Sequence, residues 1–243
     1  MPHADSEHFR ANGRVAIVTG AAQGIGRETA ERLGARGYAL VLSDLVECAE
    51  TRAALAGIGA EAIAVIGDIS EEATATALRD TAQQRFGRVD VLVNNAGISH
   101  ICPAEKTSAA DWRRVLDVNL LGPFLLCREI GTIMLAERQG SIVNVASIAG
   151  LLGVADRSAY NASKHGLIGL TRTLAAEWGG RGVRVNAVCP RLGENTDGCC
   201  PASQRPVQRH GYRASRADGS IRHSGRHCLG DRVSRRPGAE RLH

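Results

Sequence analysis

Tyr160 and Lys164 stand four residues apart, and Ser147 precedes the tyrosine by thirteen residues. On a helix, residues four apart lie on one face. A phenol with an ordinary pKa of about 10 is a poor base at neutral pH. An ammonium beside it favours the phenolate and brings proton transfer toward the working range. A serine hydroxyl close by can hold a substrate oxygen beside the phenol. Tyr-x-x-x-Lys is also a common helical pair, so the trio alone does not define a reaction.

A second chemical signal lies near the N-terminus. Thr19-Gly20-Ala21-Ala22-Gln23-Gly24-Ile25-Gly26 follows an apolar β-branched run and opens into a helical pattern. Glycines there permit a tight turn and close backbone approach, and a helix N-terminus offers free N–H groups to a pyrophosphate. The next apolar run ends at Asp44, whose carboxylate suits both ribose hydroxyls of an adenosine and repels a 2′-phosphate. With Gln23 rather than a cation ahead of Gly24, the reading is NAD in preference to NADP. As an alternative, Asp44 caps the following helical segment. Further apolar runs end at Gly67-Asp68-Ile69 and Asn94-Asn95-Ala96-Gly97. Asp68 can accept from an adenine amino group, and Ala96-Gly97 lets the backbone lie close to a cofactor ribose. Either segment could also be an ordinary turn.

The elements that must position these residues alternate. Strands are predicted at 15–19, 39–43, 62–66, 89–94, 141–146 and 183–188, and helices at 25–36, 71–86, 110–137 and 159–178. Nearly continuous apolar strands suit a parallel sheet covered on both faces. The alternation implies a Rossmann-like, doubly wound α/β fold in a single domain over residues 14–190, after an N-terminal tail at 1–13. In such sheets ligands bind beyond the carboxyl ends of the strands, where each candidate above falls.

Together these motifs make residues 14–190 resemble the short-chain dehydrogenase/reductase family. The resemblance rests on Thr19 to Gly26, Asp68, Asn94-Asn95-Ala96-Gly97, Asp117-Val118-Asn119, Ser147, Tyr160-x-x-x-Lys164 and Asn186-Ala187-Val188-Cys189-Pro190. It implies hydride transfer between NAD(H) and a secondary alcohol or ketone. Tyr160 would be the general acid/base, and Lys164 would tune it while bonding the nicotinamide ribose. Ser147 would orient the substrate, and Asn119 would anchor a water of the proton relay. The cofactor site it implies comprises Gly20, Gln23, Gly24, Ile25, Gly26, Asp44, Asp68, Ile69, Asn95, Ala96, Gly97, Tyr160, Lys164 and Pro190. It also implies a homotetramer built on the helices at 111–137 and 159–178. The substrate pocket is expected around Ser99, His100, Ile101 and residues 148–155. Two other readings stay open: a 3-oxoacyl thioester reductase, and an NAD-binding protein impaired in catalysis.

The impairment would come from the C-terminal segment. After Pro190 the family has a glycine, then a threonine that contacts the nicotinamide amide, a substrate-covering loop, a helix and a last strand. None of these appears. Residues 191–243 instead carry 11 arginines, no lysine and five acids, while residues 1–190 hold 19 basic and 20 acidic residues. The chain's net charge of +5 therefore belongs to a segment too poor in apolar residues to build a core. A change of reading frame accounts for this break. Arg191-Leu192-Gly193-Glu194-Asn195 can be encoded CGG CTG GGT GAA AAC. One base later those bases read Gly-Trp-Val-Lys-Thr, restoring Pro-Gly-x-x-x-Thr. Two later stretches, 217–228 and 232–242, also permit family-like segments at the same offset. A chain that ends in this segment is expected to be unstable or weakly active.

The remaining inventory is short. Cys199, Cys200, His223, His227 and Cys228 lack zinc-site spacing, so no metal is expected. The arginine-rich segment has no lysine and no aromatic platform beyond Tyr212, which argues against nucleic acid. No uninterrupted apolar run approaches the roughly 18–20 residues of a bilayer span, and residues 1–12 lack the apolar stretch of a signal peptide. With seven cysteines in no framework, a cytoplasmic enzyme of a small-molecule alcohol or ketone is expected.

Overall fold

The computed structural model describes residues 13–191. The tail at 1–12 lies outside the described residues, as do residues 192–243 with their cysteines, histidines and arginines. Six strands form one sheet: β1 (Val15–Thr19), β2 (Ala39–Asp44), β3 (Ala62–Ile66), β4 (Val91–Asn94), β5 (Gly140–Val145) and β6 (Val183–Val188). Their order is β3-β2-β1-β4-β5-β6, and every pairing is parallel. Parallel neighbours need long crossovers, which carry α1 (Gly24–Ala35), α2 (Ala49–Gly57), α3 (Glu72–Phe86), α4 (Ala109–Leu116), α5 (Gly122–Ala136) and α6 (Ser158–Trp178). The strand order reverses between β1 and β4, so the crevice of this doubly wound fold opens at their carboxyl ends.

The twofold period of a strand divides the core. Val15 and Ile17 of β1 face α3, α5 and α6, packing with Leu78, Leu126, Ile130 and Trp178. Ala16 and Val18 face the other way, toward Ala30 of α1 and Leu55 of α2. α5 and α6 touch closely: a Cβ on Gly131 would sit 2.7 Å from the Trp178 ring. A polar seam runs through this interior. Asn94 Nδ2 donates to Asn144 Oδ1 at 2.8 Å, and Asn144 Nδ2 donates to Thr171 Oγ1 at 2.9 Å. The seam ties the ends of β4 and β5 to α6. Buried amides that satisfy each other in this way hold one register.

The elements follow the sequence reading, several ends shifting by one residue, with four differences of note. β4 begins at Val91, two residues late, because Asp90 Oδ2 accepts from Val15 N at 2.9 Å where a strand carbonyl would otherwise stand. β5 begins one residue early, at Gly140. Helix α2 was not anticipated; its nine residues are too few to show a period. The long helix expected at 110–137 is one helical run, but its middle, Asp117–Leu121, is π-helical. That run, Ala109–Ala136, is long and apolar enough to cross a bilayer, which the sequence reading had not recognised; 56% of its apolar window is buried inside the domain.

Candidate active site

The glycine-rich loop is held from three sides. Ala21 N donates to Ser43 O at 3.1 Å, Ala22 N to Asp44 Oδ2 at 3.0 Å, and Thr51 Oγ1 to Ala21 O at 2.7 Å. Asn95 Nδ2 bonds the carbonyls of Thr19 and Gly20 at 2.9 and 3.2 Å. Thr19 Oγ1 accepts from the amides of Asn95 and Ala96, each at 3.0 Å. The loop is thus stitched to the ends of β2 and β4. Gly26 is obligatory here, because a Cβ on it would meet Gly20 O at 1.9 Å. α1 then starts with no side-chain cap and no acid in its first turn. Its first N–H groups remain available to an anion.

Asp44 lines the trough beside this loop, and its carboxylate also accepts from Leu45 N at 2.8 Å. It does not cap α2, whose N-cap is Cys48. Across the trough, Asp68 accepts from Ser70 N and Oγ at 3.0 and 2.7 Å, and from Arg114 at 2.6 Å. Burial alone would raise the Asp68 pKa; the Ser70 hydrogen bonds and Arg114 outweigh it and hold the carboxyl below its ordinary value. Asp44, Asp68, Ile69, Gly20, Gln23 and Arg114 line one cavity of about 210 Å³.

The second half of the trough, about 300 Å³, is lined by Ser147, Tyr160, Lys164, Pro190, Ile25 and Arg157, among others. Asn95, Gly97 and Ile98 line both halves, so the two volumes meet along the end of β4. Gly97 is needed at that junction: a Cβ would come 3.1 Å from Asn119 Oδ1 and 3.5 Å from Lys164 Nζ. A long cavity with bare helix amides, an acid at one end and a Tyr-Lys pair at the other fits a nicotinamide dinucleotide. Gly20, Gly24, Asp44, Asp68 and Gly97 would hold it.

Tyr160 and Lys164 lie on α6, with Lys164 Nζ 5.7 Å from the Tyr160 ring centroid. Lys164 is 4% exposed and donates to Val145 O at 2.8 Å. Burial pushes its pKa down to about 8, against a weaker opposing influence from Cys189. Ser147 follows the end of β5 by two residues and caps a 3-10 turn, its Oγ accepting from Ala149 N at 3.1 Å. Pro190 is tied in by its carbonyl, which accepts from Ile148 N at 3.1 Å.

Asn119 is fully buried in the π-helical stretch. Its side chain bonds Ile98 N and O, each at 2.8 Å, and Ser163 Oγ at 3.1 Å. Ser163 Oγ in turn donates to Tyr160 O at 2.7 Å. The π-type bond from Gly122 N to Asp117 O alters the carbonyl pattern in that stretch.

Most of the expected site residues therefore share one trough. Of the expected substrate loop, Ser99, Ile148, Ala149 and Val154 line it; His100, Ile101, residues 150–153 and Ala155 do not. Arg114 and Arg157 were missed. Neither belongs to a motif, and each reaches the trough only through the fold.

Comparison with known proteins follows the same outline. The family model described as short chain dehydrogenase matches residues 14–199. D-threitol dehydrogenase of Mycolicibacterium smegmatis is 44% identical over 186 residues, 76% of this chain and 72% of that protein. A 3-oxoacyl-[acyl-carrier-protein] reductase of Synechocystis is 41% identical over 180 residues, 73% of each. The crystal structure of NAD+-bound xylitol dehydrogenase superposes with a TM-score of 0.73 at 34% identity, covering 76% of this chain and 72% of that one. A structure from Beutenbergia cavernae, provisionally assigned as an NAD(P)-dependent gluconate 5-dehydrogenase and holding NADP at low occupancy, gives a TM-score of 0.71 at 43% identity over 75% and 74%.

Proposed function

Because the chain belongs to the short-chain dehydrogenase family, we propose that it oxidises a small secondary alcohol with NAD as hydride acceptor. It is an oxidoreductase of alcohols and ketones. The specific reading concerns the cofactor, the residues and the assembly. The observation that carries it is Lys164, a buried ammonium 5.7 Å from the Tyr160 ring in the cavity that Ser147 also lines.

In this reading Ser147 orients the carbinol oxygen, and the Tyr160 phenolate takes its proton. Lys164 favours that phenolate electrostatically. When bound, the nicotinamide supplies the two-electron hydride acceptor, and the overall change is alcohol plus NAD+ to ketone, NADH and a proton. Asn119 holds the loop at Ile98 and, through Ser163, the start of α6, and its main-chain carbonyl anchors the relay water. Asp44 supports NAD over NADP, since a second negative charge would face a carboxylate in the trough. The relatives include both an NAD-bound and an NADP-bound structure, which is why the preference needs measuring. A 3-oxoacyl thioester reductase is the second reading, favoured by the Synechocystis relative. A homotetramer belongs to the same proposal, supported by Leu121 and Phe124, which lie exposed in the α4–α5 run.

Replacement of Tyr160 by Phe tests the assignment. Loss of at least about a hundredfold in kcat with NAD binding retained is expected. Undiminished oxidation of alcohols by Tyr160→Phe overturns it.

A further inference from the structure

We propose that the substrate carries a carboxylate and that Arg157 receives it. The inference rests on reading the trough as a dehydrogenase site. The cavity beside Ser147 and Tyr160 is lined by three cationic side chains, Arg157, Lys164 and Arg191, and by no Asp or Glu. Lys164 is already committed to Val145 O and to the tyrosine. Arg191 begins the anomalous segment and is not needed for the argument.

Arg157 is partly buried, yet among the described residues its guanidinium makes no ion pair or hydrogen bond. Its one recorded side-chain contact is with the Tyr160 ring, 6.0 Å from the guanidinium carbon to the centroid. Other partly buried arginines behave differently: Arg27 and Arg79 each hold a carboxylate. A cation drawn from bulk water into a concave site without a counter-charge loses solvation, and an incoming anion restores the balance.

The mount is firm. Arg157 O accepts from Asn161 N at 2.8 Å in the first turn of α6, and Arg157 pairs with Cys102 in an isolated bridge. Cys102 N also donates to Asp156 O at 2.8 Å. The backbone that carries Arg157 is therefore held in place, and its guanidinium lies 6.0 Å from the centroid of the reacting tyrosine's ring. Its planar fork matches the two oxygens of a carboxylate. The cavity, about 300 Å³, has room for a small hydroxy acid beside Ser147 and Tyr160. A solvated cation merely resting on the Tyr160 ring is the competing account.

The full-length chain with NAD separates the two on three substrates: 3-hydroxybutyrate, its methyl ester, and 2-butanol. The acid is expected to exceed the ester by at least about tenfold in kcat/KM, carried by KM, as a charge-assisted bidentate contact allows. In Arg157→Gln that ratio falls to near unity, and Arg157→Lys keeps part of it. A wild-type ratio near unity, or a ratio unchanged in Arg157→Gln, overturns the proposal. If none of the three is oxidised, calorimetric titration with butyrate decides the anion site separately from the turnover reading. Binding that disappears in Arg157→Gln upholds it; absent binding, or equal binding by both proteins, overturns it.

Discussion

Arg114 donates to the Asp68 carboxylate at 2.6 Å, joining residues 46 positions apart on the rim of the dinucleotide trough. It also reaches Ser70 Oγ at 3.0 Å, so one guanidinium orders the whole turn after β3. Asp68 is thereby held in its ionised form on the wall of the cavity. Replacing Arg114 by Gln is expected to raise KM for NAD several-fold while changing kcat little. The acid limb of NAD binding should also move to higher pH, because the carboxyl loses Arg114, one of the influences that hold its pKa down, while the Ser70 hydrogen bonds remain. The sign follows from linkage: a depressed folded pKa adds stability above the unfolded value, lost as pH falls through the folded one. Arg114→Gln should therefore cost only about 0.5–1 kcal/mol, seen at neutral pH and fading in acid. Chemical denaturation at two pH values, with NAD titration, checks both parts.

Lys164 pits stability against activity. Its folded pKa of about 8 lies below the ordinary 10.5. The charged form is therefore penalised in the fold, fully below pH 8, decreasingly between 8 and 10.5, and not above. Lys164→Met is expected to abolish turnover yet stabilise the fold at pH 7, by on the order of 1–3 kcal/mol less the lost bond to Val145 O. Thermal melts at pH 7 and near pH 10 check it. A variant no more stable than the parent at pH 7 contradicts the burial argument.

Asp44 has two duties in the structure, lining the trough and accepting from Ala22 N in the glycine-rich loop. Asp44→Ser should raise KM for NAD by about tenfold or more, as loss of a charge-assisted contact implies. It should also raise the relative efficiency with NADP, because the repulsion of a 2′-phosphate is gone. Steady-state kinetics with both cofactors measure this, and an unchanged ratio counts against NAD selectivity at this position.

The strand edge at β6 offers a test of the reading frame. Arg184, Asn186 and Val188 are exposed on one face of the strand, and Val188 is 45% exposed. Removal of one base near codon 190 should yield a chain that covers apolar surface now open to water. Higher solubility and a melting temperature several degrees above the parent are expected. Sequencing the gene across that codon, together with expression of both frames, decides between error and native sequence.

Much of the fold was legible because its signals are local. Apolar β-branched runs of strand length, separated by helix-forming stretches, announce parallel strands and crossovers without knowledge of the partners. The glycine-rich loop and Tyr160 with Lys164 were equally readable, since each acts within a turn or across one helical turn, and Asp44 was readable from its place at the end of the second strand. α2 was not: its nine residues carry no period strong enough to stand out.

Other features were decided only in three dimensions. The π-helical stretch at Asp117–Leu121 arises where Asn119 must satisfy Ile98 and Ser163 together, and no periodicity reports that demand. Whether Asp68 has a cationic partner depended on the fold bringing Arg114 of α4 to the turn after β3. Whether Arg157 faces solvent or the reacting tyrosine depended on the bridge to Cys102. Residue type and spacing thus determined which chemistry this chain can hold. Packing determined which charges meet, because Coulombic and hydrogen-bonding partners are neighbours in space that sequence separation does not reveal.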